Sequence, residues 1–130
     1  MQVTRKGPAT VPFESPDGKF IYYRKADGPG IWRVPAGGGQ EVAVVETFDV
    51  GWGNWAIVDD GIYFMKRDSK VGVTIEFYNF ATQRINQLAA LGQIKTWVHG
   101  MAVSPDRQWI LYTQVDPGNT TNITMVENFR

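Results

Sequence analysis

The chain has 130 residues, with 13 basic and 13 acidic side chains and no cysteine. This length is enough to bury a core as one domain, and zero net charge excludes a general electrostatic attraction to nucleic acid or to an anionic membrane. The lack of cysteine excludes a disulfide framework, a thiol nucleophile and a zinc site of the cysteine type.

A polar turn followed by a strand occurs three times along the chain. Residues 14–23 return as 103–112, and a shorter copy lies at 59–64. In each copy, a turn rich in Asp precedes β-branched and aromatic residues, which predicts a tight turn leading into a buried strand. The marker aspartates are 43 and 46 residues apart. A period of about 40 to 50 residues with several short strands indicates a β-propeller.

The first predicted blade spans residues 8–47, after a strand-like segment at 1–7 that has no blade of its own. Its four strands are expected at 11–14, 20–24, 31–34 and 41–45. Segment 1–7, with its strand at 2–6, is predicted to complete the last blade of a partner chain. Propeller rings are commonly closed in this way, with one blade built from both chain ends.

The second predicted blade spans residues 48–92, and the third spans 93–130. Strands of the second blade are expected at 50–58, 62–66, 73–78 and 84–88. Residues 88–91 could also form a turn of helix, but they lie where a connection between blades is expected, and we predict a connection. Strands of the third blade are expected at 97–103, 109–114 and 122–126, and its outer strand is missing.

Residues 15–23, 30–38, 55–64 and 125–130 together resemble TolB-type, WD40-like propeller repeats. The resemblance is to the C-terminal blades of bacterial proteins that join a winged-helix DNA-binding domain to a propeller. It covers nearly the whole chain and implies an all-β propeller fragment of three blades. Such blades serve as scaffolds, sensors and protein-binding platforms. The chain contains no winged-helix segment, so the resemblance does not imply DNA binding.

One turn departs from the family pattern. Arg107 stands where the resemblance leads us to expect a glycine, so we expect the turn at 104–107 to differ from the turn at Gly18. The recurring turn residues are more simply structural than catalytic, because a role needed once per blade is usually structural and Asp accepts backbone N–H bonds in such turns. The predicted structural turn residues are Asp17, Gly18, Asp60, Gly61 and Asp106.

Five residues on or near the innermost strands are candidates for a ligand site at the central channel. They are Trp52, Asn54, Trp55, Trp97 and His99. His99 is the only histidine, and no Gly-x-Ser-x-Gly motif accompanies it. We therefore favour a histidine hydrogen-bonded at the channel rim over a catalytic one. Trp32 and Trp109, in middle strands, are predicted to be buried between blades.

The sequence leaves two classes of function open, and it predicts no catalytic residue, metal or cofactor. In the first, the chain is a non-enzymatic propeller module, a scaffold or binding platform that assembles with a second copy head to tail. In the second, it is a hydrolase or lyase, or the accessory propeller of an enzyme, with a site near His99. The sensor half of a bacterial regulator is a further alternative.

The sequence also bears on the partners and the location of the chain. Closed propellers have about four to eight blades, so two chains of three would close a six-bladed ring. We expect a protein or small-molecule ligand at the channel mouth, and neither nucleic acid nor membrane as a partner. No apolar run approaches the roughly 18 residues of a membrane span, and the N-terminus lacks the apolar core of a signal peptide. A soluble chain is therefore expected, periplasmic or cytoplasmic as part of a longer parent.

Overall fold

The computed structural model describes residues 1–28, 30–46, 50–94 and 100–129, and for 50–52 the backbone alone. Within these ranges the chain forms eleven β-strands and no helix. The strands are β1 (Ala9–Glu14), β2 (Phe20–Lys25), β3 (Ile31–Pro35), β4 (Val42–Val45), β5 (Val50–Val58), β6 (Gly61–Asp68), β7 (Gly72–Asn79), β8 (Ile85–Gly92), β9 (Met101–Val103), β10 (Trp109–Val115) and β11 (Thr121–Glu127). The described ranges accordingly hold no helix long and apolar enough to cross a membrane.

The strands form three sheets in which consecutive strands are neighbours. The orders are β1-β2-β3-β4, β5-β6-β7-β8 and β11-β10-β9, which we call the first, second and third sheets. The pairs from β1 to β4, from β6 to β8 and from β9 to β11 are antiparallel. This architecture confirms the prediction of an all-β propeller fragment. Among the described residues the third sheet has three strands.

Most strand predictions agree with the structure to within two residues at each end, and two segments differ. Residues 88–91 belong to β8, which continues to Gly92, so the predicted connection there is wrong. Two register shifts in the pairing of β7 with β8 let the longer strand stay attached to its neighbour. Of the predicted strand 97–103, residues 101–103 form β9, and 97–99 lie outside the described residues.

The N-terminal segment is the second difference. Residues 2–6 form no strand in this chain. The backbone N–H groups of Arg5 and Lys6 both donate to the Glu41 carboxylate, and Gly7 has a left-handed backbone conformation with φ 82°. Two consecutive N–H groups directed at one oxygen bend the chain, whereas a strand directs them to opposite sides.

The chain divides into two compact units, each with its own core. The first unit, Met1–Asp49 with Ile57–Asp59, buries Tyr23, Ile31 and Val34. The second unit, Val50–Ala56 with Asp60–Arg130, buries an apolar group that lies on β5, β6, β7 and β10. Its largest members are Trp55, Ile62, Phe64, Ile75 and Ile110.

Two tryptophans of the middle strands are half-buried in the chain, so the prediction that they are buried is not met here. In the first sheet, the ammonium group of Lys25 lies 3.8 Å from the centre of the Trp32 ring. The ammonium group is attracted to the electron-rich face of the ring and covers part of it. Trp109, on β10, is half-buried as well.

Candidate functional site

The predicted channel residues lie partly outside what the structure describes. Asn54 and Trp55 are on β5, and both side chains are buried. Trp52 is on the same strand, but its side chain is outside the described part, as are Trp97 and His99. Consecutive side chains of a strand point to opposite faces of the sheet, so β5 does not bring Asn54 and Trp55 to one site. A ligand site on the five residues stays a prediction.

The repeated turns have one shared geometry, seen at Ser15 and Ser104. Each serine hydroxyl donates to the aspartate two residues later, Asp17 at 2.6 Å and Asp106 at 2.5 Å. The same hydroxyl oxygen accepts the backbone N–H of the first strand residue, from Phe20 at 3.0 Å and from Trp109 at 3.1 Å. The sequence pattern predicts the role of the aspartates but not that of the buried serines, whose signal is the Ser that precedes Pro-Asp in both copies.

The turn at Arg107 has the same conformation as the turn at Gly18, so the expectation that the two turns differ is wrong. Gly18 has φ 70° and Arg107 has φ 58°. In each turn this residue donates its N–H to the carbonyl of the serine at 2.8 Å. A left-handed conformation costs a non-glycine residue about 1–2 kcal/mol. The hydrogen bonds of Ser104 and Asp106 therefore impose the turn despite the side chain.

Arg107 also contacts the shorter repeat copy. Its guanidinium lies 2.7 Å from a carboxylate oxygen of Asp60, in the turn between β5 and β6. The next residue, Gly61, is buried where an added Cβ would overlap the Tyr78 carbonyl and the Phe77 ring. Asp60 thus forms an ion pair between two turns of the second unit, and Gly61 allows β6 and β7 to approach closely.

The carboxylates of two turns, Asp17 and Asp68, accept hydrogen bonds from donors in the same turn. The Ser15 hydroxyl and the Lys19 N–H stabilise the charged form and lower the pKa of Asp17. In the turn between β6 and β7, the N–H groups of Lys70 and Val71 lower the pKa of Asp68 in the same way. A carboxylate held ionised by backbone donors is a poor general acid. The described residues also contain no group of three or more His, Asp or Glu side chains able to hold a metal ion.

A buried carboxylate that the sequence did not reveal lies beside β4. Glu41 is 7% exposed, and its Oε1 accepts the N–H of Arg5 at 2.5 Å and that of Lys6 at 2.9 Å. Its Oε2 accepts the hydroxyl of Tyr23 at 2.7 Å and lies 3.9 Å from Nζ of Lys25. We call this group the Glu41 clamp. It fixes residues 5 and 6 to the first sheet.

The clamp shifts the pKa of both of its acidic groups. Burial raises the pKa of Glu41, but the donors from Arg5, Tyr23 and Lys6 and the charge of Lys25 outweigh burial and leave it below the usual value. Burial, together with the hydrogen bond to the charged Glu41, raises the pKa of Tyr23 strongly. At neutral pH the clamp therefore consists of an ionised carboxylate and a neutral phenol.

The third sheet has one covered face and one uncovered face. On the covered face, Ile110, Tyr112 and Met101 are buried. On the opposite face, Ile123 is 76% exposed and Met125 is 50% exposed, and Met125 pairs with Leu111 across the sheet. Adjacent exposed apolar side chains on a sheet face usually mark an interaction surface. We call this the outer face of the third sheet.

The outer edge of the same sheet is formed by β11. Among the described residues, no strand pairs with β11 on the side away from β10. After β11 the chain turns at Asn128, which has φ 54°, and the Phe129 ring packs 5.9 Å from the Tyr63 ring of β6. The residues that follow β11 up to Phe129 therefore leave the third sheet and do not supply its fourth strand.

The first sheet also presents exposed apolar side chains, along one row of cross-strand neighbours. The row runs Phe13, Tyr22, Arg33 and Val42, and its two end members are 37% and 42% exposed. Arg33 covers the middle, because its guanidinium lies 4.5 Å from the centre of the Phe20 ring. We call this face the aromatic face of the first sheet.

Comparison with known proteins identifies the fold. No protein-family model and no curated protein matches the chain. Among solved structures, TolB from Acinetobacter baumannii superposes with a TM-score of 0.72 over 94% of this chain and 30% of that one, at 17% identity. A proposed TolB from Agrobacterium tumefaciens superposes with a TM-score of 0.67 over 93% of this chain and 44% of that one, at 19% identity.

The chain is thus a β-propeller segment, and it spans less than half the length of either solved protein. Its blades have the fold of TolB-type propeller repeats, as the sequence resemblance implied. Similarity at this level of identity concerns the fold, and function has to be argued from the surfaces of the chain itself.

Proposed function

We propose that the chain is a non-enzymatic propeller module that binds protein, and that it binds a second copy of itself. The observation that carries the proposal is the third sheet, whose outer face exposes Ile123 and Met125 and whose outer edge carries no strand among the described residues. Unpaired edges and exposed apolar faces are sites at which β-proteins add further strands or sheets.

The number of blades supports a dimer. One chain supplies three sheets, whereas closed propellers have about four to eight blades. Two chains joined head to tail supply six, with the outer face of the third sheet of each copy against the aromatic face of the other copy's first sheet. Such a contact joins two different surfaces, and a twofold rotation closes it into a ring instead of a fibre. Three chains would supply nine blades, outside the usual range.

The turn geometry supports a binding role over catalysis. Asp17 and Asp106 each accept a hydrogen bond from a serine in the same turn, and Asp60 pairs with Arg107. Carboxylates engaged in this way are more simply structural than catalytic, because one oxygen of each is already bound by a donor of the fold.

The mass of the protein in solution tests the proposal. Light scattering at micromolar concentration should give twice the chain mass of 14.6 kDa. Ile123→Lys and Met125→Lys place a charge on the outer face and should yield monomer, because the new charge would have to be buried without a partner. Both side chains are at least half exposed in the chain, so the folded monomer tolerates the change.

Val71→Lys is the matched control. Val71 is 52% exposed in the turn between β6 and β7, so it is similar in exposure but lies away from the outer face. This variant should keep the dimer mass. A stable, soluble wild-type monomer would refute the proposal, and a mass of three chains would replace the six-bladed ring with a nine-bladed one.

A further inference from the structure

The N-terminal segment is directed by a series of fixed contacts. The Pro8 carbonyl accepts the N–H of Ala26 at 3.0 Å, Gly7 turns the chain, and the Glu41 clamp then holds residues 5 and 6. Residues 1–4, which we call the arm, precede the clamped residues in the sequence and form no strand. Met1 at the end of the arm is 95% exposed.

The Glu41 clamp buries a charged group in order to hold residues 5 and 6. A buried carboxylate is tolerated only when donors satisfy it, and here two backbone N–H groups, a phenol and an ammonium group converge on Glu41. The clamp engages the N–H groups of Arg5 and Lys6 in hydrogen bonds within the chain, so these two groups cannot pair with another sheet. The backbone that remains able to pair with another sheet is therefore the arm.

We infer that the Glu41 clamp presents the arm, as a short added strand, to the outer edge of β11 in a second copy of the chain. The inference rests on the proposed dimer and specifies how one of its contacts is made. The occupant is a segment of the same protein because, among the described residues, the third sheet has three strands where the other two have four, and the arm belongs to no sheet. Residues 128 and 129, which follow β11, do not occupy this edge, since the Phe129 ring packs on Tyr63.

The arm predicted here is shorter than the strand at 2–6 expected from the sequence. Val3 is its central residue, and its apolar side chain can join Ile123 or Met125 at the edge of the outer face. Glu41 is a positioning residue in this arrangement, because it holds Arg5 and Lys6 and thereby directs the arm toward the edge of β11. Holding a segment in its bound direction reduces the conformational entropy lost on binding.

Engineered cysteines test the contact, and the natural chain contains none that would interfere. Opposed Cα atoms of neighbouring strands are about 4.5–5.5 Å apart, within the range of a disulfide. A Val3→Cys variant is mixed under oxidising conditions with Asn122→Cys or with Ile123→Cys, which cover both faces of β11. We expect a mixed disulfide between the two chains in at least one pairing, many times more abundant than with Val71→Cys, an exposed position in a distant turn.

Variants of the clamp test whether Glu41 positions the arm or whether the arm reaches β11 of the second copy without it. Glu41→Gln should slow the mixed disulfide by about tenfold, because the neutral amide lacks the charge that strengthens the two backbone hydrogen bonds from Arg5 and Lys6. Tyr23→Phe removes a donor from Oε2 but leaves the two backbone bonds to Oε1, so the rate should hold. Asp68→Asn is a second control. The Asp68 carboxylate also accepts two backbone N–H groups, but both belong to its own turn, so this variant should leave the rate unchanged.

The outcomes distinguish the inference from the proposed function. If the wild type has the mass of a dimer but no pairing exceeds the Val71→Cys control, the arm does not occupy the edge, and the dimer proposal stands. If Val3→Cys combined with Glu41→Gln cross-links as fast as Val3→Cys alone, the clamp does not position the arm. If the wild type is a monomer, both the proposed function and the inference fail.

Discussion

Replacing Gly61 with alanine tests how β6 and β7 pack against each other. A methyl group at this position would lie closer than 3.0 Å to both the Tyr78 carbonyl oxygen and the Phe77 ring. The carbonyl belongs to the β6–β7 ladder, in which Tyr78 pairs with Ile62. The ring is held by Tyr63, whose centre is 4.6 Å away. Neither neighbour can move without disturbing the second sheet.

The size of the effect follows from two opposing terms. Overpacking a core of this kind costs about 1–3 kcal/mol. Gly61 has no left-handed conformation, so alanine also reduces the entropy of the unfolded chain, which offsets about 0.4–1 kcal/mol. We expect a net destabilisation of about 1–2 kcal/mol. For a domain of this size that lowers the Tm by about 3–8 °C.

Gly37→Ala is the matched control for this experiment. Gly37 has no left-handed conformation either, and no atom lies within 4 Å of the position of an added Cβ. Its Tm should stay level or rise slightly for the same entropic reason. Thermal unfolding is followed by circular dichroism at one fixed protein concentration, since association raises apparent stability. Equal Tm values for the two variants would show that β6 and β7 are not packed as described.

Four further predictions concern the turns, the arm, the clamp and the histidine. Ser104→Ala leaves the N–H groups of Gln108 and Trp109 without the hydroxyl oxygen, so chemical denaturation should show a loss of about 1–3 kcal/mol, and no loss would contradict the turn geometry. Deleting residues 1–7 should weaken the dimer or cause aggregation in light scattering, and an unchanged dimer would remove the arm from the contact. Because the pKa of Glu41 is lower in the folded chain than its ordinary 4.5, its contribution to stability is present above that value and is lost as the pH falls through the folded pKa. Denaturation midpoints should therefore fall in acid more for the wild type than for Glu41→Gln. Finally, His99→Ala should keep the fold and abolish no turnover in a screen of ester, peptide and glycoside substrates, and activity that disappears with the mutation would overturn the non-enzymatic assignment.

The turns and strands could be predicted because their signals are local. Ser15 and Ser104 each stand before Pro-Asp and an alternating apolar run, so all the atoms that form the turn lie within six residues. The end of β8 could not be predicted. Residues 88–91 are all apolar and show no alternation of apolar and polar side chains. Their attachment depends on register shifts opposite Val73 and Ile75, which no local pattern encodes.

The clamp could not be predicted either, for a different reason. Glu41 accepts hydrogen bonds from backbone N–H groups 35 and 36 residues away. Every residue except proline has such a group, so the residue types do not indicate which of them Glu41 contacts. At Arg107 the residue type is misleading, because an arginine in place of the glycine found at position 18 indicates a different turn. The hydrogen bonds of Ser104 and Asp106 proved sufficient to hold an arginine in the left-handed conformation.

The meander order of the three sheets has a consequence for how the chain folds. Each strand pairs with its neighbour in sequence, and the turn between β10 and β11, for example, closes through Asp116 and Thr120. The entropy of loop closure grows with the length of the loop, and folding rates fall as contacts become more distant in sequence. Hairpins of this kind can therefore form one at a time from short loops. The hydrogen-bonded sheets should appear at a rate that does not depend on protein concentration, and only the later burial of the outer face of the third sheet should depend on it.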